Sequence, residues 1–252
     1  MYFGSNASSV AEDPVPVYDL DHCTLGVRHL YASAERLRTE TGLRSHEGGW
    51  LDTMPTAHRT IPLPGDAYVN VESVIDHHAD LPPGVDAFRT WFEQTTRRGD
   101  HWMTWNLRAR SRADLEDVAR RFGGEVVTAP GARRPDGTTT TTVMAPGNAA
   151  VTWARGLPNW YFHPDLEQHP ARRAPLTHER PLHEISWLEV GGDPAHLEEH
   201  IGTETFTALP LRFVDGPAGL YGVGLTTHDG EEIALRAPSG APGLAELAAR
   251  PA

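Results

Sequence analysis

Three times along this chain a period-two strand pattern is followed by an amphipathic stretch that ends on glycine. The first unit alternates from Tyr18 to Val27. A helical stretch follows over Leu30–Thr41, with Leu30, Ala34 and Leu37 on one face and Gly42 placed to end it. The second alternates from Trp102 to Ala109 and continues into a helix from about Arg112 to Phe122, with Asp114 in its first turn and Gly123-Gly124 behind it. The third runs from His183 to Val190, then a short helix Pro194–Ile201 closed by Gly202. Further strands are predicted at 58–63 and 67–74 around Pro64-Gly65-Asp66, at 138–145 and 149–154 around Pro146-Gly147-Asn148, and at 211–214, 221–227 and 232–236. A helix is expected around Asp86–Thr95, and five prolines make 155–182 an irregular crossover. This order predicts an α+β fold of two to three βαβββ modules.

Alternation assigns each strand side chain to a face. Cys23, Leu25, Val27, Val69, Val71, Met103, Trp105 and Leu107 take the helix side. His22, Thr24, Tyr68, Asn70, Glu72, Trp102, Thr104, Asn106 and Arg108 take the other. Such a face is unlike an ordinary wet strand surface and reads as the lining of a cavity. Residues 1–16 read as a flexible lead, 17–236 as the domain (modules about 17–100, 101–160 and 181–236), and the Ala-, Pro- and Gly-rich 237–252 as a flexible tail.

The segment Leu20-Asp21-His22-Cys23-Thr24-Leu25-Gly26-Val27-Arg28-His29-Leu30 resembles the opening strand and turn of glyoxalase-like proteins of the vicinal-oxygen-chelate superfamily. The resemblance continues through His46-Glu47-Gly48-Gly49-Trp50, Thr56-Ala57-His58-Arg59, Tyr68-Val69-Asn70-Val71, Trp105-Asn106-Leu107-Arg108, Arg134-Pro135-Asp136-Gly137 and Leu157-Pro158-Asn159-Trp160, to Gly222 through Gly230. It implies mixed sheets curled around a shared cavity. It also implies one divalent metal, held by His and Glu, that chelates two adjacent substrate oxygens; other members lack metal and bind a drug. The usual Tyr-Leu-Glu of the fourth strand here reads Tyr68-Val69-Asn70, and Glu72 lies two residues later on the same face. Either Glu72 replaces the lost ligand or the metal is gone. The expected metal set (Zn, Fe, Mn or Ni) is His22, Glu72 and His183, the alternative being no metal. His22, Glu72 and Tyr68 are the catalytic candidates; Asn70, Trp102, Asn106, Arg108, His46 and His58 are the substrate-binding ones. For His163 and His169, in the crossover, capping and surface roles outweigh a reach toward substrate.

Composition narrows the function further. A net charge of −12 opposes binding to nucleic acid. Lysine is absent, which excludes lysine Schiff-base chemistry and a phosphate-loop lysine. The single Cys23 forms no intramolecular disulfide. Neither a bilayer-length apolar run nor a signal-peptide pattern is present, so a cytoplasmic protein without a membrane partner is expected. No serine-hydrolase or dinucleotide motif stands in the right context. The sequence reading is a small-molecule enzyme performing isomerase, lyase or ring-opening chemistry, with a homodimer left open. The alternative is a metal-free small-molecule binding or resistance protein.

Overall fold

The computed structural model describes residues 17–51 and 54–249; the expected lead 1–16 lies outside the described residues. Strand β1 (Asp19–Gly26) leads through helix α1 (Leu30–Thr41) to β2 (His46–Trp50), β3 (Thr56–Pro62) and β4 (Tyr68–Val74). Helix α2 (Pro83–Thr96) connects to β5 (His101–Arg108), α3 (Arg112–Arg121), β6 (Val127–Arg133) and β7 (Thr139–Ala145). Helix α4 (Ala149–Ala154) and β8 (Asn159–Phe162) follow. The last part holds β9 (Leu182–Gly191), α5 (Pro194–Ile201), α6 (Thr203–Ala208), β10 (Leu211–Val214), β11 (Gly219–Thr227), β12 (Glu232–Arg236) and α7 (Ala241–Ala248).

Local chemistry explains the helix ends. Ser111 accepts from the Asp114 amide while the Asp114 carboxylate accepts from the Ser111 amide, a reciprocal cap that starts α3. Gly42, at φ 76°, closes α1 in the left-handed region and donates to the Arg38 carbonyl.

Eight strands close a barrel in the order β1-β4-β3-β2-β6-β7-β8-β5. The first strand of each module pairs in parallel with that module's last, β1 with β4 and β5 with β8, and β1 and β5 pair antiparallel across the seam. The remaining strands form a separate sheet, β10-β9-β11-β12. Two modules therefore enclose the barrel interior and the third packs beside it. Leu25, Val27, Leu37, Val69, Val71, Trp105, Leu107 and Val118 are all buried in one cluster outside the barrel wall, as alternation predicts. No helix among the described residues is long and apolar enough to cross a membrane.

Two expectations are corrected. Residues 149–154 form α4 and not a strand; a six-residue apolar run carries too few positions for its period to separate the two. The expected tail is docked from 237 to 248. The Trp102 amide donates to the Pro238 carbonyl, Gly240 donates back to Trp102, and the Trp91 indole donates to the Gly240 carbonyl at 2.8 Å. Leu244 of α7 is buried against Val74, Trp91, Phe92 and Met103, so apolar burial anchors a segment whose composition suggested a tail.

Candidate functional site

Two bulges in the β1–β5 pair decide which side chains reach the interior. Leu20 faces Leu107 and His22 faces Asn106, so Asp21 is an extra residue in β1. Strict alternation would send Asp21 to the helix side with Cys23; the bulge re-aims it. Its carboxylate is fully buried and accepts from three imidazoles: His22 Nδ1 at 2.5 Å, His163 Nε2 at 3.0 Å and His169 Nε2 at 3.4 Å. Burial alone would push the carboxyl up. The charge of the adjacent His163 and hydrogen bonds from all three rings outweigh it and hold Asp21 well below the usual carboxylate range.

The second bulge lies between the pairs Thr24–Thr104 and Leu25–Trp102, which makes Met103 the extra residue. Trp102 consequently turns into the outer core at 1% exposure, while Met103 lines the cavity. Trp102 is thus corrected from the substrate face to the core.

Hydrogen-bond polarity sets the state of His22. The Trp153 indole can only donate, and it does so to Asn106 Oδ1 at 3.1 Å. Asn106 therefore presents Nδ2 to His22 Nε2 at 2.9 Å, which makes that ring nitrogen the acceptor. The imidazole proton is left on Nδ1, where it is donated to Asp21. Tyr68 stacks on the ring at 4.7 Å and 13°, and Tyr161 meets it edge-on at 4.9 Å. Both nitrogens of His22 are thus committed within the protein.

A second group sits farther along the same strands. Glu72 lies opposite Gly26 on β1 and opposite His58 on β3. Direct cross-strand neighbours have Cβ atoms about 5 Å apart. Both side chains line the cavity and are more than nine-tenths buried. Burial pushes the Glu72 carboxyl up to about 7; the Thr56 hydroxyl pulls the other way, though its Oγ1 makes no hydrogen bond of good geometry among the described residues. Burial, reinforced by His22, Arg173 and His46, pushes His58 down to about 3. His58 Nδ1 is buried without a hydrogen-bond partner among the described residues. Its opposite edge lies over Gly48, where a Cβ would come within 2.1 Å of Cδ2.

The cavity is about 730 Å³ in volume. Tyr68, Asn70, Tyr161, His163 and Arg173 add polar groups to its wall, and Val85, Phe88, Phe92, Met103 and Trp153 supply an apolar flank from α2, β5 and α4. Arg173 donates Nε–H to the Gln168 carbonyl at 2.5 Å, and no carboxylate forms an ion pair with it among the described residues. Burial, followed by repulsion from Arg134, lowers it to about 10.

The other sequence candidates are placed differently. Tyr68 and Asn70 line the cavity, and Asn106 sits behind His22 with no exposure. Arg108 donates to the Asp66 and Gly65 carbonyls at 3.0 and 2.9 Å and pins the barrel rim. His46 is tied to the Glu47 and Pro170 carbonyls. His183 is exposed on β9, in the other sheet, with its ring 5.3 Å from that of His228. His22 pairs with Tyr68 whereas Glu72 pairs with Gly26, a four-residue offset worth about 13 Å along a strand. The set His22, Glu72 and His183 is therefore not assembled. The donors that do converge are Asp21, His163 and His169, whose ligand atoms all lie within 4.8 Å of one another and could hold a metal ion.

Comparison with known proteins agrees with this architecture. The glyoxalase-like domain family model matches residues 20–206. No curated protein sequence matches the chain. Among solved structures, a hypothetical protein from Staphylococcus aureus superposes with a TM-score of 0.58 at 10% identity, covering 84% of this chain and 92% of that one. Methylmalonyl-CoA epimerase from Mycobacterium tuberculosis gives 0.38 at 15% identity, covering 57% and 85%. The Streptomyces coelicolor epimerase, solved with 2-nitronate-propionyl-CoA, gives 0.39 at 14% identity, covering 60% and 100%. With the family model spanning most of its length, the chain belongs to the glyoxalase-like domain family.

Proposed function

We propose that this protein is a small-molecule enzyme that moves a proton at a carbon next to a carbonyl, with Glu72 as the acid–base group. The feature that carries this reading is a buried carboxyl in the cavity wall, without a cationic partner among the described residues, that burial pushes up to about 7. A group with that affinity both takes and returns a proton near neutrality. His58, directly opposite, is held neutral. Its unpartnered Nδ1 is the group assigned to donate to the oxygen on which charge develops. The proton leaves the hydroxyl-bearing carbon for a Glu72 carboxylate oxygen and the electron pair moves onto the carbonyl oxygen; Glu72 then returns the proton to the former carbonyl carbon on the same face while the hydroxyl proton passes between the two oxygens, which completes an isomerisation.

Arg173 lines the same cavity as a cation that no carboxylate pairs with among the described residues, so it is assigned to an anionic substrate group. The apolar flank of Phe88, Phe92 and Trp153 suits a short hydrocarbon or aryl part. The substrate class is a compact carboxylate with a 2-oxo or 2-hydroxy group. A panel of such acids, assayed for thermal shift and turnover, tests the reading. Glu72→Gln should lose turnover yet keep binding, whereas Arg173→Met should lose binding. Binding of panel members without turnover in the wild type would favour a sequestering protein.

A further inference from the structure

We infer that Asp21, His163 and His169 form a binding site for one divalent transition-metal ion at the end of the cavity remote from Glu72. This inference does not depend on the chemistry assigned to Glu72. Three observations carry it.

The first is spacing. Two donor atoms bound to one ion at about 2.1 Å, with a tetrahedral or octahedral angle between them, lie about 3.0–3.4 Å apart. Asp21 Oδ1 is 3.0 Å from His163 Nε2 and 3.4 Å from His169 Nε2. Two imidazoles and one carboxylate are a donor set suited to Zn, Fe(II) or Mn and leave further positions open.

The second is charge. Asp21 and His169 are fully buried, and among the described residues the side-chain partners of the Asp21 carboxylate are three histidines. Neutral or titratable imidazoles supply no fixed charge to this anion, and a divalent ion on Oδ1 adds one beside it.

The third is the arrangement around the donors. The other oxygen, Oδ2, is already oriented by His22 Nδ1–H, itself fixed through Asn106 and Trp153. This is the kind of outer hydrogen bond that orients a ligating carboxylate. His163 lines the cavity wall, so the open positions face bound substrate.

One change accompanies binding. The Ala171 amide donates to His169 Nδ1 at 3.2 Å, which leaves the ring proton on Nε2 in the metal-free chain. Ligation at Nε2 moves that proton to Nδ1, and the long Ala171 bond is given up.

The test uses the full chain stripped with a chelator and titrated with Zn(II) by calorimetry and with Co(II) by visible absorption. One ion per chain, a higher melting temperature and a cobalt spectrum are expected. His163→Ala, whose side chain is partly exposed, should weaken affinity at least about tenfold, and His169→Ala should remove the cobalt spectrum. Glu72→Gln should bind metal as the wild type does. Failure to bind would overturn the site. So would wild-type affinity in both histidine variants, or loss of binding on replacing the exposed pair His183 and His228 instead.

Discussion

Replacing Glu72 by glutamine should make the protein more resistant to alkaline destabilisation. The Glu72 carboxyl is pushed from the ordinary 4.5 up to about 7 by burial, so the native state holds this proton more tightly than the unfolded chain does. The stabilisation from that proton is complete below the unfolded value and is lost as pH rises through about 7. Moving a carboxyl between those values corresponds to about 3 kcal/mol. Glutamine keeps the shape, stays neutral and carries no such dependence. Urea unfolding of both proteins at about pH 5 and about pH 8.5 isolates this term, because other titrations cancel in the difference between wild type and variant. Part of the term is already lost at pH 5, so the stability gap should shift by about 2.5 kcal/mol in favour of the variant at the higher pH. A gap independent of pH would refute the burial argument.

Three further outcomes follow from the same geometry. His58 is pushed down to about 3, so its contribution is present above the ordinary value of 6.5 and is lost as pH falls toward 3; His58→Gln should flatten part of the acid limb of an unfolding profile. Gly48→Ala places a Cβ against the His58 ring and should cost about 1–3 kcal/mol in denaturant melts. Leu244→Ala, in the docked C-terminal helix, should cost about 2–5 kcal/mol, whereas a loose tail would register nothing.

The barrel wall was legible because its strands carry a strict period of two: Leu25, Val69, Val71 and Leu107 could face only the helices. Glu72 and Tyr68 were legible on the same ground. The bulges were not. An extra residue in β1 and another in β5 leave no local mark in the sequence, yet they move Asp21 inward and Trp102 outward. Sharing a face did not mean adjacency either: register, set by long-range pairing, gave Glu72 to His58 and His22 to Tyr68. His163, His169 and Arg173 come from a proline-rich crossover without periodicity, so nothing local tied them to Asp21 and Glu72, some 90 to 150 residues earlier. Strands β2 and β6 escaped notice because Gly48-Gly49 and Pro130-Gly131 interrupt their alternation.

The central claim is that Glu72 exchanges a proton with carbon. Wild type and Glu72→Gln can each be incubated in deuterium oxide with 2-oxo and 2-hydroxy carboxylates that raise the melting temperature of both. The hydrogen beside the carbonyl is then followed by proton NMR. The account predicts wash-in of deuterium with wild type, rising with pH through about 7, and none above the buffer rate with Glu72→Gln. Equal exchange by the two proteins, or exchange by neither, would contradict it.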